Sequence, residues 1–166
     1  MNKLFLTVAA VALAFTTNAN AGGGFAPVGY TIFCMNNPGH CRPSAAATIP
    51  ASADAMAEIS RINTAVNASI RPKRDATEQW SLNPSAGDCE DFALTKRARL
   101  IRAGFPAGAL RMAEVTTGRG ERHAVLIVKT TAGEYVLDNL RQKVVSRGAT
   151  GYRFGWIASA NPLRGE

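Results

Sequence analysis

Apolar residues in the first half of the chain recur at intervals of three and four, with Met56, Ile59, Ile62, Val66 and Ile70 sharing one helical face. Ser52 or Asp54 is placed to cap that helix, and Pro72 marks its end. A second helix is expected over residues 88–103, burying Phe92, Ala93, Leu94, Ala98, Leu100 and Ile101, with Gly104 as its terminator. After Phe105-Pro106 the composition turns to Val, Leu, Ile and Tyr with glycine-containing breaks. Strands are expected over 109–116, 122–130 and 134–139, near Val144-Val145, and over 152–157. Residues 22–50 are rich in Gly, Pro, Ala and Ser without a sustained period and read as mostly irregular, with Phe25 and Tyr30-Thr31-Ile32-Phe33 lying against the main body. Helices that precede strands, rather than alternate with them, predict an α+β fold: N-terminal helices packed on an antiparallel meander.

The start of the chain changes the picture of where this fold works. Lys3 followed by the apolar run Leu4 to Phe15 and the small residues of Ala19-Asn20-Ala21 form a secretory signal, with cleavage expected after Ala21. The run is too short to span a bilayer, which needs roughly 20 apolar residues, so the mature chain is expected to be exported and not membrane-spanning. Removing 21 of 166 residues leaves 145, the size of a single domain, 22–166. The 19 basic and 12 acidic residues give a net charge of +7, about +6 without Lys3. Export and the lack of a basic run interleaved with aromatics argue against nucleic acid as partner.

Three cysteines in an exported chain suggest one bridge and one free thiol. Cys34 and Cys41 flank Asn36-Asn37-Pro38-Gly39, a strong turn signal, and their pairing leaves Cys89 free. The rival reading makes Cys34, His40 and Cys41 metal ligands, but no fourth ligand is evident.

Cys89 stands in Gly87-Asp88-Cys89-Glu90-Asp91-Phe92-Ala93, in the first turn of the second helix, where unpaired amides and the helix dipole favour a thiolate and an oxyanion. Asp88, Glu90 and Asp91 oppose that thiolate, and an inert core thiol is the alternative. Downstream, His123 opens one strand and Asp138 closes the next. A hairpin at 131–133 would set imidazole and carboxylate side by side at one sheet edge. A thiol on a helix with His and Asp on neighbouring strands is the set an acyl-transfer enzyme needs: nucleophile Cys89, base His123, orienting Asp138.

The blocks Gly87 to Lys96, Arg122 to Leu126 and Tyr135 to Leu140 resemble the three motif blocks of the bacterial transglutaminase-like cysteine proteinases, which include LapG-type periplasmic proteases that release adhesins. The likeness extends to Phe33-Cys34, Asn37 to Cys41, the helix with Asn63, Val66 and Asn67, and Gly151-Tyr152. It departs at Phe92, where many relatives carry tyrosine. The resemblance implies a papain-like, transglutaminase-like fold and a periplasmic thiol endopeptidase acting on a protein such as a surface adhesin. It also implies calcium at Asp88 and Glu90 and an inner-membrane receptor as regulator. The chemistry itself requires no cofactor. Helix-start acids that complement the dipole are the other reading of Asp88 and Glu90. Gln79 is a candidate oxyanion donor by residue type. Acyl transfer to an amine through the same thioester, or a non-catalytic binding module on the same fold, are the competing functions.

Overall fold

The computed structural model describes residues 24–74 and 77–166. The signal segment 1–21 lies outside them. Helix α2 (Ala53–Ser69) starts where expected, with the Ser52 side chain accepting the Ala55 amide, and it buries Ile59, Ile62 and Val66. Helix α3 (Cys89–Arg102) follows and stops before Gly104, whose φ of +91° suits glycine. Then come β3 (Leu110–Thr116), β4 (Arg122–Thr130), β5 (Gly133–Leu137), β6 (Val145–Ser146) and β7 (Arg153–Ile157). They form one antiparallel sheet in the order β6-β5-β4-β3-β7, so the last strand returns to the free edge of β3 rather than extending the meander.

The sheet is covered unequally. One face, carrying Leu110, Met112, Leu126, Val128 and Leu137, joins the interior of α2 and α3 in the main core. The opposite face holds a smaller cluster of Ala113, Val115, Val125, Ile127, Val136 and Ile157, against which Tyr152 and Phe154 pack. Alternation along β4 therefore buries both of its faces, which is why its sequence reads as a continuous apolar run.

The N-terminal segment differs from its expected irregular form. Residues Val28–Asn36 make a helix, α1. Its inward residues Tyr30, Phe33 and Cys34 are buried, but its outward residues Val28, Ile32 and Met35 are apolar too. The contrast between faces that marks an amphipathic helix is absent, and no period shows in the sequence. A disulfide joins Cys34 to Cys41, which rules out the Cys-His-Cys metal reading, and the His40 carbonyl accepts a bond from Arg97.

Between α2 and α3 the chain leaves and returns through a two-residue parallel pairing of β1 (Arg71–Pro72) with β2 (Ala86–Gly87). The returning limb is fastened to α3: the Ser81 amide bonds Asp91 Oδ1 at 2.6 Å and the Asn83 amide bonds Thr95 Oγ1 at 2.9 Å. Trp80 is tucked under this limb against Tyr30, ring centroids 5.1 Å apart. A Cβ on Gly29 would overlap the Trp80 indole, so α1 can approach this wall only with glycine there. Gly29→Ala is expected to destabilise the protein by roughly 1–3 kcal/mol, the usual cost of overpacking. A urea midpoint equal to that of the parent would contradict the close approach.

Candidate active site

Asp88 stands at the N-cap position of α3 without a side-chain capping bond, and Cys89 is the first helical residue. Gly87 is required at the entry because a Cβ there would overlap the Asp91 carboxylate, which folds back to hold the Ser81 amide. Of the three acids around Cys89, Asp91 is thus committed to the loop. The other two stay with the thiol. Cys89 Sγ donates to Glu90 Oε2 at 3.3 Å, and the Asp88 and Glu90 carboxyls are hydrogen-bonded to each other.

His123 enters from β4, paired across to Val115 of β3. On the other side of β4 the ladder with β5 ends at Leu126 paired with Leu137, so the start of β4 has an open edge there. The sulfur sits against that edge, accepting a hydrogen bond from the Ala124 amide. Cys89 and His123 line the same cleft. One lobe carries Glu78, Trp80, Glu90 and Glu114, and the other carries Lys73, Arg74 and Leu140, with Arg122 reaching both.

Asp138 follows β5 directly and lies behind His123. His123 Nε2 donates to Asp138 Oδ1 at 2.8 Å, leaving Nδ1 to exchange a proton with a partner in the cleft. The carboxylate also accepts the Leu140 amide at 2.9 Å and the Tyr152 hydroxyl at 2.7 Å. Burial alone would raise the Asp138 carboxyl, but the bonds from His123, Leu140 and Tyr152 outweigh it and hold it below its ordinary value. Tyr152 packs edge-on against the His123 ring, centroids 6.0 Å apart, and the Arg141 guanidinium lies 4.9 Å from the Tyr152 ring centroid. Helix α2 fixes the turn that carries Asp138: Asn67 Nδ2 bonds the Asp138 and Arg141 carbonyls, and Asn63 Nδ2 bonds that of Gln142.

The thiol is in a different electrostatic state. Burial, then the charge of Glu90, push Cys89 up to about 12 despite the Ala124 amide, with Asp88 adding to the rise. Glu90 is itself pushed up to about 8, first by burial and then by its bond to Asp88. A protonated thiol and a carboxyl held protonated by burial thus lie side by side at the helix start.

Every predicted residue is therefore located. Cys89, His123, Asp88 and Glu90 face one cleft, and Asp138 stands behind His123. Gln79 is exposed and absent from the cleft lining. Tyr152 and Asn67 bond Asp138, and Asn63 holds the turn that follows it, without having been read as site residues. Their signal was a polar residue interrupting an apolar helix face or following a glycine. Among the described residues no group of three His, Cys, Asp or Glu side chains is arranged to hold a metal ion, and no helix is long and apolar enough to cross a membrane.

Comparison with curated proteins gives no match. Among solved structures, Legionella pneumophila LapG in its calcium-bound form matches with a TM-score of 0.58 and 23% identity, over 63% of this chain and 65% of that one. The EGTA-treated form of LapG matches with a TM-score of 0.58 and 22% identity, over 64% of each chain. The chain thus spans just under two thirds of those LapG chains, and the likeness establishes a transglutaminase-like fold. The family model of bacterial transglutaminase-like cysteine proteinases matches residues 21–163, nearly the whole chain. The chain belongs to the bacterial transglutaminase-like cysteine proteinase family.

Proposed function

We propose that the protein is an exported thiol endopeptidase of the periplasm, with Cys89 as nucleophile, His123 as general base and Asp138 as the group that orients the base. The observation that carries this reading is the buried His123–Asp138 pair at 2.8 Å, opening onto the cleft in which Cys89 begins a helix. The Cys89 sulfur attacks the acyl carbon of a peptide bond while its proton passes to His123 Nδ1. Amides of the first turn of α3, which lack partners within the helix, hold the oxyanion. His123 returns the proton to the leaving amine, and a thioester to Cys89 remains. Water deprotonated by His123 then releases the acid. A cleft with a lobe on each side of the nucleophile suits an extended chain that continues past the scissile bond, hence an endopeptidase acting on a protein, with a surface adhesin as substrate class. By the family likeness, an inner-membrane receptor regulates it.

The charge around Cys89 supports a calcium ion bound by Asp88 and Glu90. Hard carboxylate oxygens fit the ion, and the proton that Glu90 keeps up to about 8 marks the place where a cation would be accepted. Two side chains do not complete its coordination, so carbonyls and water supply the rest. When bound, the ion contributes positive charge that offsets the two carboxylates and favours the thiolate.

The reading is tested by mapping new protein N-termini in an envelope fraction treated with the mature protein and calcium. Cleavages are expected with the parent and none with Cys89→Ala. Cleavages that are identical with both, or absent with both, would reject the assignment. Asp138→Asn should lower kcat by about 10²-fold or more, because His123 loses its fixed tautomer. A loss below threefold would remove Asp138 from the machinery.

The calcium site has a separate test in stability. An unfolded glutamate releases its proton near 4.5, whereas folded Glu90 keeps it up to about 8, so in chelator the folded state binds more protons across that window. Stability contributed by Glu90 therefore falls as pH rises from about 4.5 to about 8. Relative to Glu90→Gln, the parent in EGTA should lose Tm across this window, and calcium should restore it. Parallel pH profiles for the two proteins, with no response to calcium, would refute both the strain at Glu90 and the metal. Calcium should also speed alkylation of Cys89 by iodoacetamide at neutral pH.

A further inference from the structure

The cleft continues well past Cys89. Its two lobes share Asp88, Cys89, Arg122 and His123. The second lobe in turn shares Thr117, Glu121 and Leu140 with a third hollow, walled by Gly118, Arg119, Arg141, Gly151 and Tyr152. The three run together as one groove, which passes the nucleophile, crosses the turn between β3 and β4 and reaches the segment before β7.

Charge is spread unevenly along this groove. In the first lobe Glu114 is paired with Arg122 at 3.1 Å, Asp88 and Glu90 lie beside the thiol, and Glu78 is exposed. Past Cys89 the sign reverses: Lys73, Arg74 and Arg119 are exposed cations lining the groove, against one acid, Glu121. None of these three cations forms an ion pair among the described residues. Elsewhere on the surface cations are matched, Arg61 with Glu58, Lys129 with Glu134 and Glu166, and Arg147 with Glu134. Arg141 is engaged within the fold, bonding the Thr150 carbonyl at 2.7 Å and lying 3.9 Å from Asp138. Among the unmatched cations stands Leu140, an exposed apolar side chain common to the second and third hollows. This arm is continuous with the place where a peptide bond is attacked, so what fills it is the remainder of the substrate chain.

We propose that the arm of the groove from Lys73 and Arg74 to Arg119 binds an acidic stretch of the substrate, so that cleavage sites carry carboxylate side chains on one side of the scissile bond and not on the other. The inference deepens the endopeptidase reading and rests on it for the identity of the bound chain. A carboxylate block laid in the opposite direction would meet Glu78, Asp88 and Glu90, which disfavours the reversed register. Each exposed charge pair is weak, so the selection comes from several acting together and is sensitive to salt.

Binding is measured on Cys89→Ala protein with calcium present, so that nothing is cleaved. The probes are labelled peptides of equal length: a glutamate block joined to a Gly-Ser block, its lysine counterpart, and Gly-Ser throughout. The glutamate peptide should bind about tenfold more tightly than either of the others at low salt, and the difference should shrink in about 0.5 M NaCl. Lys73→Glu combined with Arg119→Glu should lower that affinity by about fivefold or more. Arg42→Glu combined with Arg164→Glu, two exposed cations outside the groove, changes the net charge equally and should lower it less than about twofold. Equal losses in the two double variants, or no preference for glutamate, overturn the proposal. So does an oligothymidine of the same charge that binds more tightly through the same cations, since the groove would then serve a phosphate polymer.

A second arm reads the new N-termini in the envelope digest. With the parent, Asp and Glu should be enriched on one side of the cut only, and the Lys73→Glu, Arg119→Glu variant should lose that enrichment. Cleavage without such asymmetry rejects the acidic-chain site and leaves the triad standing. Tight glutamate binding with no cleavage at all retains the site and rejects the endopeptidase. Should the double variant fail to fold, the three peptides still separate the outcomes on Cys89→Ala protein.

Discussion

An ionised carboxylate taken out of water must be repaid in hydrogen bonds, and Asp138 is where this fold meets that demand. It is 1% exposed. The bonds come from three separate parts of the chain: the imidazole of β4, the Tyr152 hydroxyl just before β7, and the amide of its own turn. The turn is in turn held by asparagines of α2. Removing any one of these leaves a buried charge less well satisfied, which costs more than the bond itself is worth. The site and the packing of α2, β4, β5 and β7 are thus one arrangement. The order of the sheet makes it possible, since β7 returns beside β3 and brings Tyr152 across the face that His123 occupies.

Around Cys89 the opposite holds. The first turn of α3 sets the Asp88 and Glu90 carboxyls beside the thiol. Burial and two carboxyls keep the thiol protonated, although the helix start and the Ala124 amide favour the thiolate. A fold that bonds one buried acid from three sides and keeps Glu90 protonated concentrates its electrostatic imbalance at Cys89. That imbalance is what a cation would relieve, and it separates the resting thiol from the reactive one.

Much of this could be read from residue order. The period of α2, the Gly87–Cys89 helix entry, and the placement of His123 and Asp138 at adjoining ends of a hairpin all depend on local chemistry and short-range spacing. What escaped the reading depends on contacts between distant segments. Helix α1 carries apolar residues on both faces and is recognisable only through Tyr30, Phe33 and Trp80 meeting in the core. The Tyr152 hydroxyl finds Asp138 only because β7 crosses the sheet. Asn63 and Asn67 look like ordinary polar interruptions of a helix until the 138–142 turn is laid over them. Gln79 had the right chemistry for an oxyanion donor, but residue type carries no direction, and its position is outside the cleft.

The paired neck formed by β1 and β2 has a consequence for how such a site diversifies. The returning limb is pinned to α3 by the amides of Ser81 and Asn83 and to the outgoing limb by the Arg71 and Lys73 amides, so the neck as a whole seats Cys89. Beyond that neck, Arg74, Thr77 and Glu78 border the cleft without a hydrogen bond to Cys89. Lengthening a loop whose ends are already joined adds little entropic cost. Insertions beyond the neck would therefore recut the wall of the cleft while Cys89, His123 and Asp138 stay where they are, a region in which the shape of the cleft drifts independently of these three residues.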